Sequence, residues 1–146
     1  MRTFFFLLAF LANVVFVQAN APSSEEVYEF KGVHFLASYM DCDLDALTNL
    51  PALASAMEEA AVASGASILK TSSHVFPPVG FTMVILLSES HASIHTYPEV
   101  GACFIDLFTC GTKCSSERFD EVLRAYLKPK TVCQKQLIRD QSLSEK

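Results

Sequence analysis

The sequence predicts an α+β fold in which one antiparallel sheet carries two helices packed on one face. The chain has 146 residues, which suits one domain, and 51% of them are hydrophobic, which is ample for a packed core. Two segments place apolar residues at helical spacing, and the other apolar segments are short and bounded by turn residues. Three of these short segments follow one another closely, which favours antiparallel pairing.

The first half of the chain is predicted to form a strand, a helix and a second strand. Residues 32–39 are apolar with aromatics and suit a strand, and residues 41–49 form a polar turn region. Pro51 suits the first turn of a helix, and Gly65 ends that helix because glycine readily adopts the left-handed conformation. The apolar stripe of the helix consists of Leu53, Met57, Ala60 and Ala61. Residues 67–76 form the next predicted strand.

The middle of the chain holds two more apolar strands with a polar segment between them. Turn residues 77–80 precede residues 81–87, which are aliphatic and β-branched, and residues 101–109 form another apolar strand. Residues 88–99 are polar, so we interpret them as the connection between these two strands.

The last part of the chain is predicted to form a second helix and a closing strand. Ser115 is able to cap the first free N–H groups of the helix, and residues 131–138 suit the strand. The apolar stripe of the helix consists of Phe119, Val122, Leu123, Tyr126 and Leu127. Because both helices cover the same face of the sheet, we expect a homodimer to cover the other face.

The N-terminus resembles a secretory leader. Arg2 precedes an apolar run over residues 4–17, and small residues such as Ala19 and Ala21 follow at a suitable cleavage point. The run is too short for a comfortable transmembrane helix. We therefore predict a leader at residues 1–21, a linker at 22–31, the folded domain at 32–139 and a tail at 140–146.

The charge and the cysteines bear on partners and on the compartment. The formal net charge is −5, so the sequence shows no basic patch of the kind that binds nucleic acid. An odd, scattered set of cysteines is a poor disulfide framework and is typical of cytoplasmic proteins, whereas the leader indicates export or organelle targeting. The five cysteines are Cys42, Cys103, Cys110, Cys114 and Cys133.

Reactive side chains are concentrated in residues 88–99, and Cys110 ends the following strand. His91 and His95 could join Cys110 in a metal site, but the spacing is not diagnostic. Ser90 lacks the flanking glycines of a serine hydrolase, and a cysteine hydrolase using Cys110 and His95 stays open. For any one of these residues alone, the better interpretation is a satisfied polar turn, with Cys110 as a small buried hydrophobe.

Taken together, the motifs resemble the prokaryotic-type S-adenosylmethionine decarboxylase proenzymes. The resemblance covers about residues 32–139 and includes Gly32-x-His34, His74-x-Phe76 and Gly80-Phe81-Thr82. Its longest part runs Ser88, Glu89, Ser90, His91, x, Ser93, Ile94, His95, Thr96, Tyr97, Pro98, Glu99, followed by Asp106, Leu107, Phe108, Thr109, Cys110, Gly111.

The resemblance implies that the chain makes its own pyruvoyl cofactor and needs no metal. The Ser90 hydroxyl attacks the carbonyl of Glu89, and the resulting ester is eliminated to leave chains 1–89 and 90–146, the second beginning with a pyruvoyl group. In the family, the residue matching His95 supports this processing, and the one matching Thr82 helps to hold the intermediate. The pyruvoyl group then forms a Schiff base with the substrate amine and acts as an electron sink.

The resemblance also implies an enzyme that releases CO2 from S-adenosylmethionine, for spermidine synthesis. Cys110 matches the family's proton donor, Glu99 the carboxylate that binds ribose hydroxyls, and Phe76 an aromatic that stacks on adenine. Val33 and Val75 depart from positions that are often basic in the family.

Two alternatives stay open: a pyruvoyl decarboxylase of ornithine or arginine, and a non-catalytic partner of an active paralogue. We expect a small-molecule substrate, no nucleic acid, no membrane association once the leader is removed, and a homodimer of cleaved subunits.

Overall fold

The computed structural model describes residues 30–110 and 113–141. The predicted leader, nearly all of the predicted linker and most of the predicted tail lie outside these residues. The domain boundaries predicted above therefore remain predictions at both ends of the chain.

The described residues form one six-stranded antiparallel sheet and three α-helices, which confirms the α+β class. The strands lie in the order β2-β3-β4-β5-β1-β6. Their bounds are β1 Gly32–Met40, β2 Ile68–Phe76, β3 Gly80–Leu87, β4 Ser90–Tyr97, β5 Ala102–Cys110 and β6 Thr131–Arg139. The helices are α1 Leu44–Thr48, α2 Leu50–Ala63 and α3 Ser116–Leu127, and a short 3-10 turn covers Pro98–Val100.

The predicted cap of α3 is confirmed, because the Ser115 side chain accepts a hydrogen bond at the start of that helix. The cap of α2 was not predicted: the Asn49 side chain accepts the corresponding hydrogen bond there. Gly65 follows α2 with a φ of 94°, a conformation that costs glycine little. One short helix was not predicted: α1 lies in the supposed turn region 41–49, where Asp43 caps it.

The prediction that residues 88–99 form a connection was wrong, because residues 90–97 are the strand β4 near the centre of the sheet. Ala92, Ile94 and Thr96 alternate along this strand and are buried. The polar residues lie between them on the other face. Since each face of a strand takes every second residue, a segment rich in polar side chains still pairs as a central strand.

One face of the sheet is covered by the helices. Phe35, Ile85, Ile94 and Leu107 are buried there and share one hydrophobic core with the apolar stripes of α2 and α3. The opposite face is called the open face below. Its central residues are Thr82, Val84 and Leu86 of β3, His91, Ser93 and His95 of β4, and Phe104, Asp106, Phe108 and Cys110 of β5.

A buried polar network joins the sheet to α3. The Tyr39 hydroxyl donates to the carboxylate of Asp120, which also accepts a 2.6 Å hydrogen bond from Arg124 Nε. Tyr39 is fully buried, and burial together with this hydrogen bond raises its pKa far above the ordinary value.

None of the helices within the described residues is long and apolar enough to cross a membrane.

Candidate active site

The predicted cleavage point lies in the tight connection between β3 and β4. The backbone N–H of Cys110 donates a 2.9 Å hydrogen bond to the carbonyl oxygen of Glu89. The Glu89 side chain accepts a 2.9 Å hydrogen bond from the Ser67 N–H. Although slight burial opposes the effect, the hydrogen bonds from Ser67 and Ser88 hold the pKa of Glu89 below its ordinary value. Both ends of this glutamate are therefore fixed by hydrogen bonds.

Ser90 has an unusual backbone conformation. Its φ is 155°, a value that residues with a side chain rarely adopt. Such conformations cost about 1–3 kcal/mol and persist where the surrounding structure imposes them. Here the β4–β5 ladder, which pairs Ser90 with Thr109, and the hydrogen bond to the Glu89 carbonyl hold the peptide on both sides.

Cys110 ends β5 beside this peptide. Its side chain is exposed, so the possibility of a small buried hydrophobe is excluded. The structure thus brings Glu89, Ser90 and Cys110 together, and we call these three residues the Ser90 cluster.

A second group of predicted residues lines an open groove of about 850 Å³ on the same sheet. Thr82 and His95 are direct neighbours across β3 and β4, and Thr82 Oγ1 lies 2.9 Å from His95 Nδ1. Phe76, which is half exposed, and Glu99 line the same groove. The groove with these four residues is called the His95 groove. Its other lining residues include Leu44, Thr48, Pro77, Pro78, Val79 and Tyr97.

The Ser90 cluster and the His95 groove are separate within one chain. Ser90 and His95 are five residues apart on the single strand β4. At a rise of ~3.3 Å per residue, their Cα atoms are about 17 Å apart. The structure therefore does not place His95 beside the Ser90 of its own chain, as a processing role in one chain would require.

Between the two groups lies a polar cluster in which the sequence analysis gave a role only to His91, as a possible metal ligand. Asp106 Oδ1 lies 3.5 Å from His34 Nε2 and 3.8 Å from His91 Nε2. The Ser93 hydroxyl donates to the other oxygen of the same carboxylate. These residues come from β1, β4 and β5, so only the register of the sheet reveals their proximity.

Phe108 packs beside this cluster. Its ring centroid is 5.4 Å from that of His34 and 5.8 Å from that of His91, and the Arg139 guanidinium lies 4.2 Å from it. A Cβ atom at Gly32 would lie 2.5 Å from the Phe108 ring, so a larger residue there would force the ring to shift. Among the described residues, no group of three or more His, Cys, Asp or Glu side chains is arranged to hold a metal ion.

Known proteins share this sequence and architecture. A family model described as S-adenosylmethionine decarboxylase matches residues 33–140. The S-adenosylmethionine decarboxylase proenzyme of Thermotoga maritima is 42% identical over 101 residues, covering 69% of this chain and 78% of the relative. That of Bacillus cytotoxicus is 36% identical over 100 residues, covering 68% and 77%. The crystal structure of the adenosylmethionine decarboxylase from Aquifex aeolicus matches with a TM-score of 0.71 at 29% identity, covering 77% of this chain and 92% of that one.

Proposed function

The chain belongs to the S-adenosylmethionine decarboxylase family, and from this premise we propose that Ser90 supplies its pyruvoyl group by self-cleavage. It is an enzyme that converts S-adenosylmethionine to its decarboxylated form and CO2, a reaction that serves polyamine synthesis. The comparisons give no support to ornithine or arginine as the substrate, or to a non-catalytic partner role.

The observation that carries the proposal is the peptide between Glu89 and Ser90. The Ser90 hydroxyl attacks the carbonyl carbon of Glu89, and the chain transfers from nitrogen to oxygen to give an ester. The Cys110 N–H, 2.9 Å from the carbonyl oxygen, stabilises the negative charge that develops on that oxygen. The φ of 155° at Ser90 raises the energy of the intact peptide, so part of the barrier is already overcome in the folded precursor.

The ester is then broken by removal of the α-proton of residue 90. The carboxylate of Glu89 leaves, and hydrolysis of the remaining enamine releases ammonia and leaves a pyruvoyl group. We propose that His95, whose imidazole contacts Thr82, removes this proton. Because His95 lies about 17 Å from Ser90 along β4, the base must come from a second copy of the chain.

A dimer that stacks the open faces satisfies this requirement. A two-fold axis between the sheets, perpendicular to β4 and passing near Ala92 and Ser93, would bring His95 of the partner subunit over the end of β4 that begins with Ser90. Leu86 and Phe104 are 50% and 53% exposed on the open face, and stacking would remove this apolar surface from water. Each of the two active sites would then join the Ser90 cluster of one subunit to the His95 groove of the other.

The residues of the combined site fit a pyruvoyl group and the substrate. A pyruvoyl carbonyl supplies an electron sink for the electron pair that the departing CO2 leaves behind. The exposed Cys110 thiol donates a proton to the substrate carbon that has lost CO2. Phe76 offers a half-exposed ring for stacking with adenine, and the Glu99 carboxylate accepts hydrogen bonds from ribose hydroxyls.

Release of labelled CO2 tests the assignment. We expect release from carboxyl-labelled S-adenosylmethionine and background release from carboxyl-labelled ornithine and arginine, with Ser90→Ala inactive on all three. Release from an amino acid but not from S-adenosylmethionine would overturn the substrate assignment. Equal release by the Ser90→Ala variant would overturn the origin of the pyruvoyl group.

A further inference from the structure

Two cysteines outside the proposed active site lie close together where β1 ends. Asp41 has a φ of 54°, which turns the chain back toward β5. The Cys42 N–H then donates a 2.9 Å hydrogen bond to the carbonyl of Gly101, close to the β1–β5 pair formed by Tyr39 and Cys103. Both side chains pack into the same hydrophobic core, and the Cys42 and Cys103 thiols lie near enough for each to perturb the pKa of the other.

We propose that Cys42 and Cys103 form a disulfide bond that covalently joins the two chains produced by cleavage between Glu89 and Ser90. Cys42 belongs to chain 1–89 and Cys103 to chain 90–146. The joining of two chains rests on the proposed function, whereas the formation of the disulfide does not.

The two thiols differ in the way that a stepwise oxidation requires. Cys42 is half-buried, and the nearby Cys103 thiol lowers its pKa despite partial burial, so it is the better nucleophile. Cys103 is buried, and the nearby Cys42 thiol together with burial raises its pKa. Cys42 is therefore the accessible, attacking thiol, and Cys103 is the sheltered partner that completes the bond.

The oxidant is a low-molecular-weight disulfide. The Cys42 thiolate attacks one sulfur of that disulfide, which releases one small thiol and leaves a mixed disulfide on Cys42. Cys103 then attacks the Cys42 sulfur and displaces the second small thiol. The two protein thiols together lose two electrons and two protons. The small disulfide gains these two electrons and two protons and becomes two thiols.

Such a bond suits the predicted leader, because export would place the protein in an oxidising compartment. It would also keep the chains together through unfolding. Without it, β4 of chain 90–146 and β3 of chain 1–89 are held only by non-covalent pairing.

The test uses the full-length protein incubated under native conditions with glutathione disulfide, followed by alkylation of free thiols. On a denaturing gel without reductant we expect one band for the parent protein, and with reductant two bands. Cys42→Ser is expected to give two bands on both gels. Cys133→Ser, which removes an exposed cysteine on β6, is the matched control and is expected to behave as the parent. Two parent bands without reductant would overturn the tether.

The disulfide is tested apart from cleavage in the Ser90→Ala variant. We expect its intact mass to fall by the mass of two hydrogen atoms after oxidation, and peptide mapping to link Cys42 with Cys103. Free Cys42 and Cys103 thiols in the mapped protein would overturn the disulfide. A single parent band with reductant would instead contradict the proposed self-cleavage and leave the mapping result to decide the disulfide.

Discussion

The main chain of Cys110 contacts the carbonyl of Glu89, with a distance of 2.9 Å between the Cys110 nitrogen and the Glu89 oxygen. The side chain of the same residue is exposed, and Ser90 pairs across the sheet with Thr109, the residue before Cys110. Cys110 therefore offers two groups to two different reactions: a backbone N–H for the cleavage of the precursor and a thiol for the decarboxylation. The two contributions are separable, because a substitution removes the thiol and keeps the N–H.

We expect Cys110→Ala to be cleaved normally and to lose turnover. The alanine N–H still stabilises the Glu89 carbonyl, whereas loss of a general acid typically costs about 10²–10⁴-fold in rate. Cleavage is followed on a denaturing gel and turnover by CO2 release. Unchanged turnover would remove the thiol from the role of proton donor.

Co-expression of two defective chains tests whether the site is shared between subunits. We expect His95→Ala alone to be cleaved slowly, because it lacks the proposed base. When it is co-expressed with a tagged Ser90→Ala chain, His95 of the partner subunit is intact, and the His95→Ala chain in the purified mixed dimer should be cleaved. Absence of cleavage in the mixed dimer would contradict a shared site.

Glu99→Gln is expected to raise the KM for S-adenosylmethionine while leaving self-cleavage intact. Hydrogen bonds to a charged group contribute about 1.5–3 kcal/mol, which corresponds to about a 10- to 100-fold loss of binding. Glu58→Gln is the matched control, because Glu58 is exposed on α2 and does not line the His95 groove. Equal KM values for the two variants would rule out Glu99 as a substrate contact.

Tyr39→Phe is expected to lower the free energy of unfolding. It is also expected to make that free energy fall less steeply as the pH rises into the alkaline range. The lost hydrogen bond to Asp120 costs about 1.5–3 kcal/mol. Because the folded-state pKa of Tyr39 is raised, its contribution is complete below about pH 10 and is lost as pH rises further, when only the unfolded state ionises.

Urea unfolding in the uncleaved Ser90→Ala background measures both effects of Tyr39→Phe. Above about pH 10, the unfolding free energy should fall less steeply in Tyr39→Phe than in its parent, by up to ~1.4 kcal/mol per pH unit. Parallel pH curves would show that Tyr39 ionises equally in the two states.

Much of the fold was predictable because it depends on local signals. Helical spacing predicted α2 and α3, and Gly65 was correctly placed at the end of α2. The strand β4 was missed because its open face carries His91, Ser93 and His95, whose polarity looks like a loop. Only the neighbouring strands, which bury the alternate residues, make this segment a strand.

The grouping of the site residues was not predictable in the same way. The motif suggested one site, yet the register of β4 separates Ser90 from His95 and pairs His95 with Thr82. Asp106 and His34 meet only because β1 pairs with β5. The proximity of Cys42 and Cys103 likewise depends on the turn at Asp41, and spacing along the chain gives no sign of it.

Intact-mass measurement of the reduced, purified protein tests the central claim most directly. We predict a chain ending at Glu89 and a chain starting at position 90 that is lighter by one ammonia than its serine-initiated equivalent, with Ser90→Ala remaining one chain. A single continuous polypeptide with an ordinary serine at position 90 would contradict the account.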